Sequence, residues 1–257
     1  MPAISGQRTS RGVIPVNAQQ LFQAGKLKEA IQALSLEVRD HPSESKRRTF
    51  LFELLCFAGE YDRAEKHLDV LAAAGPNSEM GALLYRSALH AEKTRQELFQ
   101  KKEYPKSPEG STTAQTVSGT LNGKPFQTIE DADPRVGARV EVFAGGSYLW
   151  LNLEHLASLE IPQPQRLRDL LWSPATLRAG PALKSTELGE VFLPVLTPFA
   201  WRHPDDAVRL GRMTVWQEDD ESGEALPVGQ KMLLVDGDEI PLLEIRKLEF
   251  KVPQTTS

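Results

Sequence analysis

Two stretches of this chain repeat one another at a spacing of 34 residues: Ala24-Gly25-Lys26-Leu27-Lys28-Glu29-Ala30 returns as Ala58-Gly59-Glu60-Tyr61-Asp62-Arg63-Ala64. The flanks hold the same register, with Leu21 mapping to Leu55, Leu34 to Leu68 and Pro42 to Pro76. Small, apolar and helix-terminating positions recur together. A period of this length marks stacked helical hairpins, each too small to bury its apolar face alone. Such stacks usually build surfaces for other polypeptides, which weighs against catalysis before any site is considered.

The period is that of the tetratricopeptide repeat, and the local signals agree with it. Residues 1–14 read as a leader, after which Pro15 opens a short helix that ends at Gly25-Lys26. The next arm carries Leu27, Ala30, Ile31, Leu34 and Val38 at helical intervals and stops at Asp40-His41-Pro42, because a residue before proline avoids the helical region. Ser43 or Ser45 is placed to cap a third helix through Phe50, Leu51, Leu54 and Leu55, and Tyr61 to Ala73 forms the return arm. A fifth helix starts after Asn77 or Ser78 and runs towards Phe99. Projecting the signature once more puts Lys93, Arg95 and Leu98 where glycine, aromatic and alanine belong, so this helix reads as a solvating cap. Linker composition follows, and the reading gives a helical domain over 15–104, a linker over 105–115 and a second domain over 116–257.

From Val117 the pattern changes to short β-type runs. Asn122-Gly123 separates Val117–Leu121 from Phe126–Ile129, and Ala144-Gly145-Gly146 separates Arg139–Phe143 from Ser147–Leu151, each a hairpin signal. Arg166 to Trp172 reads as a helical turn or two, and Glu187 to Leu196 as a further strand. Arg212–Trp216, Lys231–Val235 and Ile240–Ile245 complete the set, with Pro241 demoting part of the last run to an edge or bulge. Many short antiparallel strands favour an α+β domain that is barrel-like, since closure hides edges.

Composition narrows the function classes. Hydrophobic content of 40% and charged content of 25% are those of a globular protein. Residues 1–105 hold 15 basic and 13 acidic side chains and residues 106–257 hold 15 and 22, so the second half is acidic and no general phosphate-backbone footprint is expected. Cys56, the single cysteine, lies in an apolar run and reads as a small buried hydrophobe. No run is long enough to span a bilayer and no signal-peptide core is evident, so a cytoplasmic protein is expected. Neither a phosphate-cradling Gly-rich loop, a G-x-S-x-G elbow nor an H-E-x-x-H sequence is present, and no cofactor or metal is expected.

Four constellations remain as candidates. Counting from the glycine of each signature, the groove-facing positions are Lys46, Thr49, Glu53 and Phe57 in the third helix and Met80, Leu83, Ser87 and His90 in the fifth. Phe57, Met80 and Leu83 would hold the apolar stripe of a partner helix or else contact the second domain. Nearby, Arg47 and Arg48 suit a carboxylate or phosphate clamp, but Glu44 and Glu53 offer them ordinary ion pairs. His203-Pro204-Asp205-Asp206 is where an enzyme reading starts, since an imidazole and two carboxylates can polarise water or bind a metal. Their consecutive placement argues instead for a capped turn in which Asp205, Asp206, Arg209 and Arg212 form a structural or interaction loop. Trp150, Trp172, Trp201 and Trp216 could stack bases, but without an excess of basic residues they read as core and lids.

Leu21-Phe22-Gln23-Ala24-Gly25 with Ala30, then Arg48 to Leu55 and Gly59 to Ala64, resemble the ImpE/TagJ family of type VI secretion accessory proteins. Leu167-Arg168-Asp169-Leu170-Leu171-Trp172, Leu193-Pro194-Val195-Leu196, Val208 to Trp216 and Ile240 to Arg246 are similar to the family's other landmarks. The resemblance runs from about Ala18 to Arg246. It implies a cytoplasmic accessory of a contractile secretion apparatus whose partner is the small sheath subunit, bound through an N-terminal helical segment, and it carries over no catalytic residue. The expectation is a non-catalytic adaptor, with tetratricopeptide-like helices followed by the α+β domain, that modulates sheath assembly or recycling and binds neither nucleic acid nor membrane.

Overall fold

Asn17 starts the first helix by a reciprocal cap: its side chain accepts the Gln20 N–H at 2.9 Å, and the Gln20 side chain accepts the Asn17 N–H at 3.1 Å. The computed structural model describes residues 17–73, 76–105, 117–181 and 187–251. The leader expected over 1–14, the start at Pro15 and nearly all of the linker expected over 105–115 lie outside them.

Five helices follow in antiparallel succession: α1 (Ala18–Gln23), α2 (Leu27–Asp40), α3 (Ser45–Phe57), α4 (Tyr61–Ala72) and α5 (Pro76–Lys101). All five expected apolar positions of α2 are buried. Proline occupies the first position of α5, where its missing N–H costs nothing. Neither Ser43 nor Ser45 caps α3; Glu44 takes that position and makes no side-chain cap bond. Every residue of α3 from Leu51 to Phe57 is buried, so this helix lacks a solvent stripe over its second half. That is the pattern of a helix covered on several sides.

The reading of α5 as a solvating cap is corrected by the structure. Ala88, Leu89, Ala91, Glu92, Arg95 and Phe99 are all buried, because this half of the helix lies against strands. Arg95 is 1% exposed.

Beyond the helices come β1 (Gly119–Leu121), β2 (Lys124–Phe126), β3 (Ile129–Asp131), β4 (Arg139–Ala144), β5 (Ser147–Asn152), β6 (Leu156–Glu160), β7 (Trp172–Ala179) and β8 (Glu187–Pro194). A short helix α6 (Asp206–Arg209) then precedes β9 (Thr214–Glu218), β10 (Ala225–Gly229), β11 (Met232–Val235), β12 (Asp238–Pro241) and β13 (Lys247–Phe250). Eight strands form one antiparallel sheet in the order β2-β1-β13-β6-β7-β8-β4-β5, and two small sheets, β12-β11-β3 and β10-β9, accompany it. Among the described residues no sheet closes, so the barrel expectation is overturned. The edges are managed otherwise. β2 is three residues long and contains Pro125, which blunts it, and β5 is packed against α5.

The Asn122-Gly123 and Gly145-Gly146 hairpins form as read, with Thr120 opposite Pro125 and Val142 opposite Leu149. The run Phe126–Ile129 does not form one strand. Asp236 accepts the N–H groups of Gln127 and Thr128, both at 2.8 Å, and redirects the chain from the large sheet into β3 of the small one. The Ile240–Ile245 run likewise ends its strand at Pro241 and continues as a 3-10 turn, Leu242–Glu244.

Two apolar clusters result. One lies within the sheets around Leu159, Leu177, Leu193, Ile245 and Leu248. The other belongs to the helices but continues into Phe143, Leu171, Trp172 and Leu210, so the helical array and the sheets share packing.

Candidate functional site

The groove that sequence register assigns to a partner is largely closed by the chain's own sheet region. Phe57 and Glu53 are buried. Phe52, beside them on α3, has Trp172 at 6.3 Å and Tyr85 at 4.9 Å between ring centroids. The Tyr85 hydroxyl donates to Glu53 Oε1 at 3.1 Å, and the Arg168 guanidinium lies 5.3 Å from the Tyr85 ring. Burial pushes the Glu53 carboxyl up to about 7, against the opposing pull of Tyr85 and Arg168. Further along α5, Ser87 lies under Gly146 of the β4–β5 turn.

What stays open is the N-terminal half. Met80 and Leu83 are 77% and 62% exposed and Leu84 is 42% exposed, three large apolar side chains at helical spacing on one helix. Lys46 and His90 are exposed and Thr49 and Ser87 are half-buried. The hairpin connections make α3 and α5 run in the same sense, so Lys46 and Thr49 mark the same open end as Met80 and Leu83.

Below that opening the interface is polar and sealed. Arg95 on α5 donates to Glu141 on β4 and to Glu92, while Trp172 Nε1 donates to Glu92 Oε2 at 3.2 Å. Lys231 forms ion pairs with both Glu141 and Asp131. Burial alone would raise the Glu141 carboxyl, but the charges of Arg95 and Lys231 outweigh it and hold it far below the usual carboxylate range. Burial pushes Asp131 up to about 6 despite Lys231. Sequence reasoning placed none of these residues in a network. A usable signal was the shared face of Glu92, Arg95 and Phe99, which also carries the buried Leu89.

The segment 199–212 supplies the rest of the contact. Phe199 has φ 61°, rare for a bulky side chain; its N–H donates to Gln96 Oε1 at 3.1 Å and Arg202 sits 4.1 Å from its ring. Trp201 covers Gly59, the glycine of the second repeat signature, so closely that a Cβ there would fall 2.3 Å from the indole. Arg212 covers Gly25, the glycine of the first, and donates to Phe22 O at 2.7 Å and Gln23 O at 3.0 Å. Both repeated turns are therefore seats for one second-half segment.

Asp205 Oδ1 accepts the Ala207 N–H at 2.8 Å and caps α6. Asp206 Oδ2 accepts the Leu27 N–H at 2.8 Å, capping α2, whose own residues provide no side-chain cap, and its Oδ1 pairs with Arg209 at 3.2 Å. Among the described residues His203 Nδ1 accepts only the Asp205 backbone N–H, at 3.1 Å. The imidazole and the two carboxylates are thus brought together in sequence but not in chemistry, and nothing in their geometry supports the enzyme reading. Among the described residues no group of three or more His, Cys, Asp or Glu is arranged to hold a metal, and no helix is long and apolar enough to cross a membrane.

The tryptophans do not form a base-stacking face. Trp172 is buried, Trp150 stacks on Tyr104 with ring centroids at 6.2 Å, and Trp216 faces the carboxylate of Glu239. Arg47 pairs with Glu44 at 2.8 Å and Arg48 donates to Pro42 O at 2.9 Å, which leaves no adjacent-arginine clamp. Cys56 is buried, and burial pushes its thiol up.

Beside Trp201 a cleft of about 900 Å³ opens between α2, the α3–α4 turn and the 201–209 segment. His203, Asp205 and Asp206 do not line it.

Comparison with known proteins agrees with this architecture. A family model described as ImpE protein matches residues 123–249, and a tetratricopeptide repeat model matches residues 21–86. Over 279 aligned positions the chain is 33% identical to the type VI secretion system accessory component TagJ of Pseudomonas aeruginosa, covering 96% of each. The crystal structure of protein VPA1032 from Vibrio parahaemolyticus superposes with a TM-score of 0.78 at 21% identity, covering 91% of this chain and 97% of that one, which shows a common fold.

Proposed function

This chain belongs to the ImpE family of type VI secretion accessory components, and we propose that it is a non-catalytic adaptor that captures a helix of the small contractile-sheath subunit in the cytoplasm. The observation that carries this reading is the uncovered apolar face of α5. Met80, Leu83 and Leu84 stand in solvent at the open end of a repeat groove whose other end is sealed by Trp172, Arg168 and the β4–β5 turn. Large exposed apolar side chains grouped on one helix face, two of them the most exposed large hydrophobics among the described residues, are the signature of an interaction surface. An amphipathic helix laid across the open ends of α3 and α5 would place its apolar stripe on these three residues and its polar flank against Lys46 and Thr49.

The adaptor's effect would be on sheath assembly or on recycling by the unfolding ATPase of the apparatus, since a captured sheath helix is withheld from other contacts. The test is calorimetric titration of the full chain with a peptide of the sheath subunit's N-terminal helix, and with Leu83→Glu and Met80→Glu variants. Binding lost in the variants supports the reading. Absence of binding by the parent at roughly 100 μM peptide would overturn it, because a dedicated partner at that weakness would gain less than about 6 kcal/mol.

A further inference from the structure

We infer that the cleft beside Trp201 is a second docking site, distinct from the α5 face, and that its occupant is a short acidic protein segment carrying one or two large apolar side chains. The floor is apolar: Ile31 and Ala58 line it together with the Trp201 indole, and Leu36, 53% exposed, stands at its mouth. Its rim is cationic. Lys28 from the first turn of α2, Arg63 from the first turn of α4, and Arg202 and Arg209 from the 201–209 segment all line it, against the single carboxylate of Glu60.

These cations are not equally free. Arg63 is paired with Glu60, and Arg209 with Asp206. Lys28 and Arg202 have no carboxylate partner among the described residues; Arg202 donates to the neutral Gln100 side chain at 2.7 Å and lies 5.0 Å from the Trp201 ring. The whole chain carries a formal net charge of −5, so a concave site with this excess of positive charge runs against the average surface. A field of that sign selects a negative occupant and discriminates against a positive one.

The apolar floor decides between classes of anion. A phosphate or a nucleic-acid backbone gains nothing from Ile31, Leu36 and Ala58, whereas a peptide that buries a leucine or phenylalanine there gains by removing that side chain from water. The volume is that of a site for a drug-sized ligand or a few residues of peptide. None of Met80, Leu83, Ser87 or His90 lines this cleft, so the inference stands apart from the sheath-helix reading.

The test is fluorescence anisotropy of the full chain with two labelled synthetic peptides, one of alternating glutamate and leucine and one of alternating lysine and leucine. Oligothymidylate and inorganic polyphosphate serve as competitors. The glutamate peptide should bind and the lysine peptide should not, with binding weakening as salt rises. The paired substitution Lys28→Glu and Arg202→Glu should weaken it by at least about tenfold, and the uncharged Leu36→Asn should weaken it at unchanged salt dependence. Lys28→Glu alone, on an exposed side chain with no bond to lose, serves if the pair compromises folding. Leu83→Glu should leave glutamate-peptide binding unchanged, which separates this outcome from the fate of the α5 proposal. Equal binding of both peptides, no binding at about 1 mM, indifference to the charge reversals, or displacement of the peptide by lower concentrations of oligothymidylate or polyphosphate would each overturn the inference.

Discussion

Arg95 grips Glu141 with two parallel hydrogen bonds, from Nε at 2.7 Å and from Nη2 at 3.1 Å, between a helix of the repeat array and a strand of the large sheet. Neither side chain is more than 1% exposed. A bidentate pair sealed in this way joins the two halves of the chain through charge as well as through apolar packing. Removing Arg95 leaves two buried carboxylates, Glu141 and Asp131, to share the single ammonium of Lys231. Arg95→Met is therefore expected to cost about 3–5 kcal/mol in urea unfolding at neutral pH. Lys247→Ala, which removes an exposed pair with Glu249, should change stability by less than about 1 kcal/mol. Equal stabilities for the two variants would show that the buried pair holds nothing together.

Glu53 predicts a pH dependence of defined sign. Its carboxyl is raised to about 7 by burial under Tyr85 and Arg168. The folded chain therefore keeps a proton that the unfolded chain releases nearer pH 4.5, so this residue's contribution to stability falls as pH rises through that window and levels off above pH 7. Glu53→Gln retains an acceptor for the Tyr85 hydroxyl and carries no charge. Its stability relative to the parent should be near zero at pH 4 and favourable by on the order of 3 kcal/mol at pH 8. Taking the difference between the two proteins cancels Asp131, which titrates in both. Thermal unfolding at a series of pH values reads this directly, and a pH-independent difference would contradict it.

Much of the helical array was legible because helix arms are local objects. The spacing of Leu27, Ala30, Ile31, Leu34 and Val38 is an i, i+3, i+4 pattern that one arm satisfies by itself. Strand segments were also legible one by one, as with Arg139–Phe143 opposite Ser147–Leu151. The order of the strands was not, because β1 finds β13 and β13 finds β6 across more than a hundred residues and across about ninety, and nothing local states whether such a sheet closes. Arg95 misled for a related reason. A charge in the middle of a helix reads as solvated until its partner is known, and Glu141 lies 46 residues further on. Glu53 and Phe57 were placed correctly on one helix face by register, but that face meets Arg168 and Trp172 before it meets any partner. Asp205 as a helix cap was legible; that Asp206 caps a different helix, α2, was not.

The Asp206 and Arg212 contacts make the 203–212 segment a clasp on the first hairpin. One supplies an anion to the Leu27 N–H at the start of α2 and the other a cation to the Phe22 and Gln23 carbonyls at the end of α1, each matching the local dipole end. Asp206→Ala should cost about 1 kcal/mol as a lost cap, and Asp206→Asn should recover most of it. Arg212→Ala should cost on the order of 2 kcal/mol, since its bonds are charge-assisted. In limited proteolysis both alanine variants should cut faster between α1 and α2 than Asp205→Ala, whose bond stays within α6. Identical cleavage of all three would mean that the clasp is not what holds this hairpin.

Gly59 offers the sharpest separation of backbone strain from steric conflict. It and Gly123 both have left-handed backbones, with φ of 70° and 82°, so alanine at either position pays a conformational penalty of about 1 kcal/mol. Around Gly123 there is open space, whereas a Cβ on Gly59 would lie 2.3 to 2.8 Å from three indole carbons of Trp201. The atoms met are at the base of the indole and not at the far end of a flexible side chain, so relief requires the whole ring to shift and Gly59→Ala should cost at least about 2 kcal/mol more than Gly123→Ala. Gly25→Ala should fall between them, because the nearest atom, Arg212 Nη1 at 3.4 Å, is the end of a flexible side chain. The cause can be isolated with Trp201→Ala. That change costs stability by itself, but in its presence the steric part of the Gly59→Ala penalty should vanish and only the backbone part remain. The double-mutant cycle should thus show a coupling of roughly 2 kcal/mol. Additive costs would mean that Trp201 yields freely, and that the repeated glycines are kept for their turns alone and not as seats for the second half of the chain.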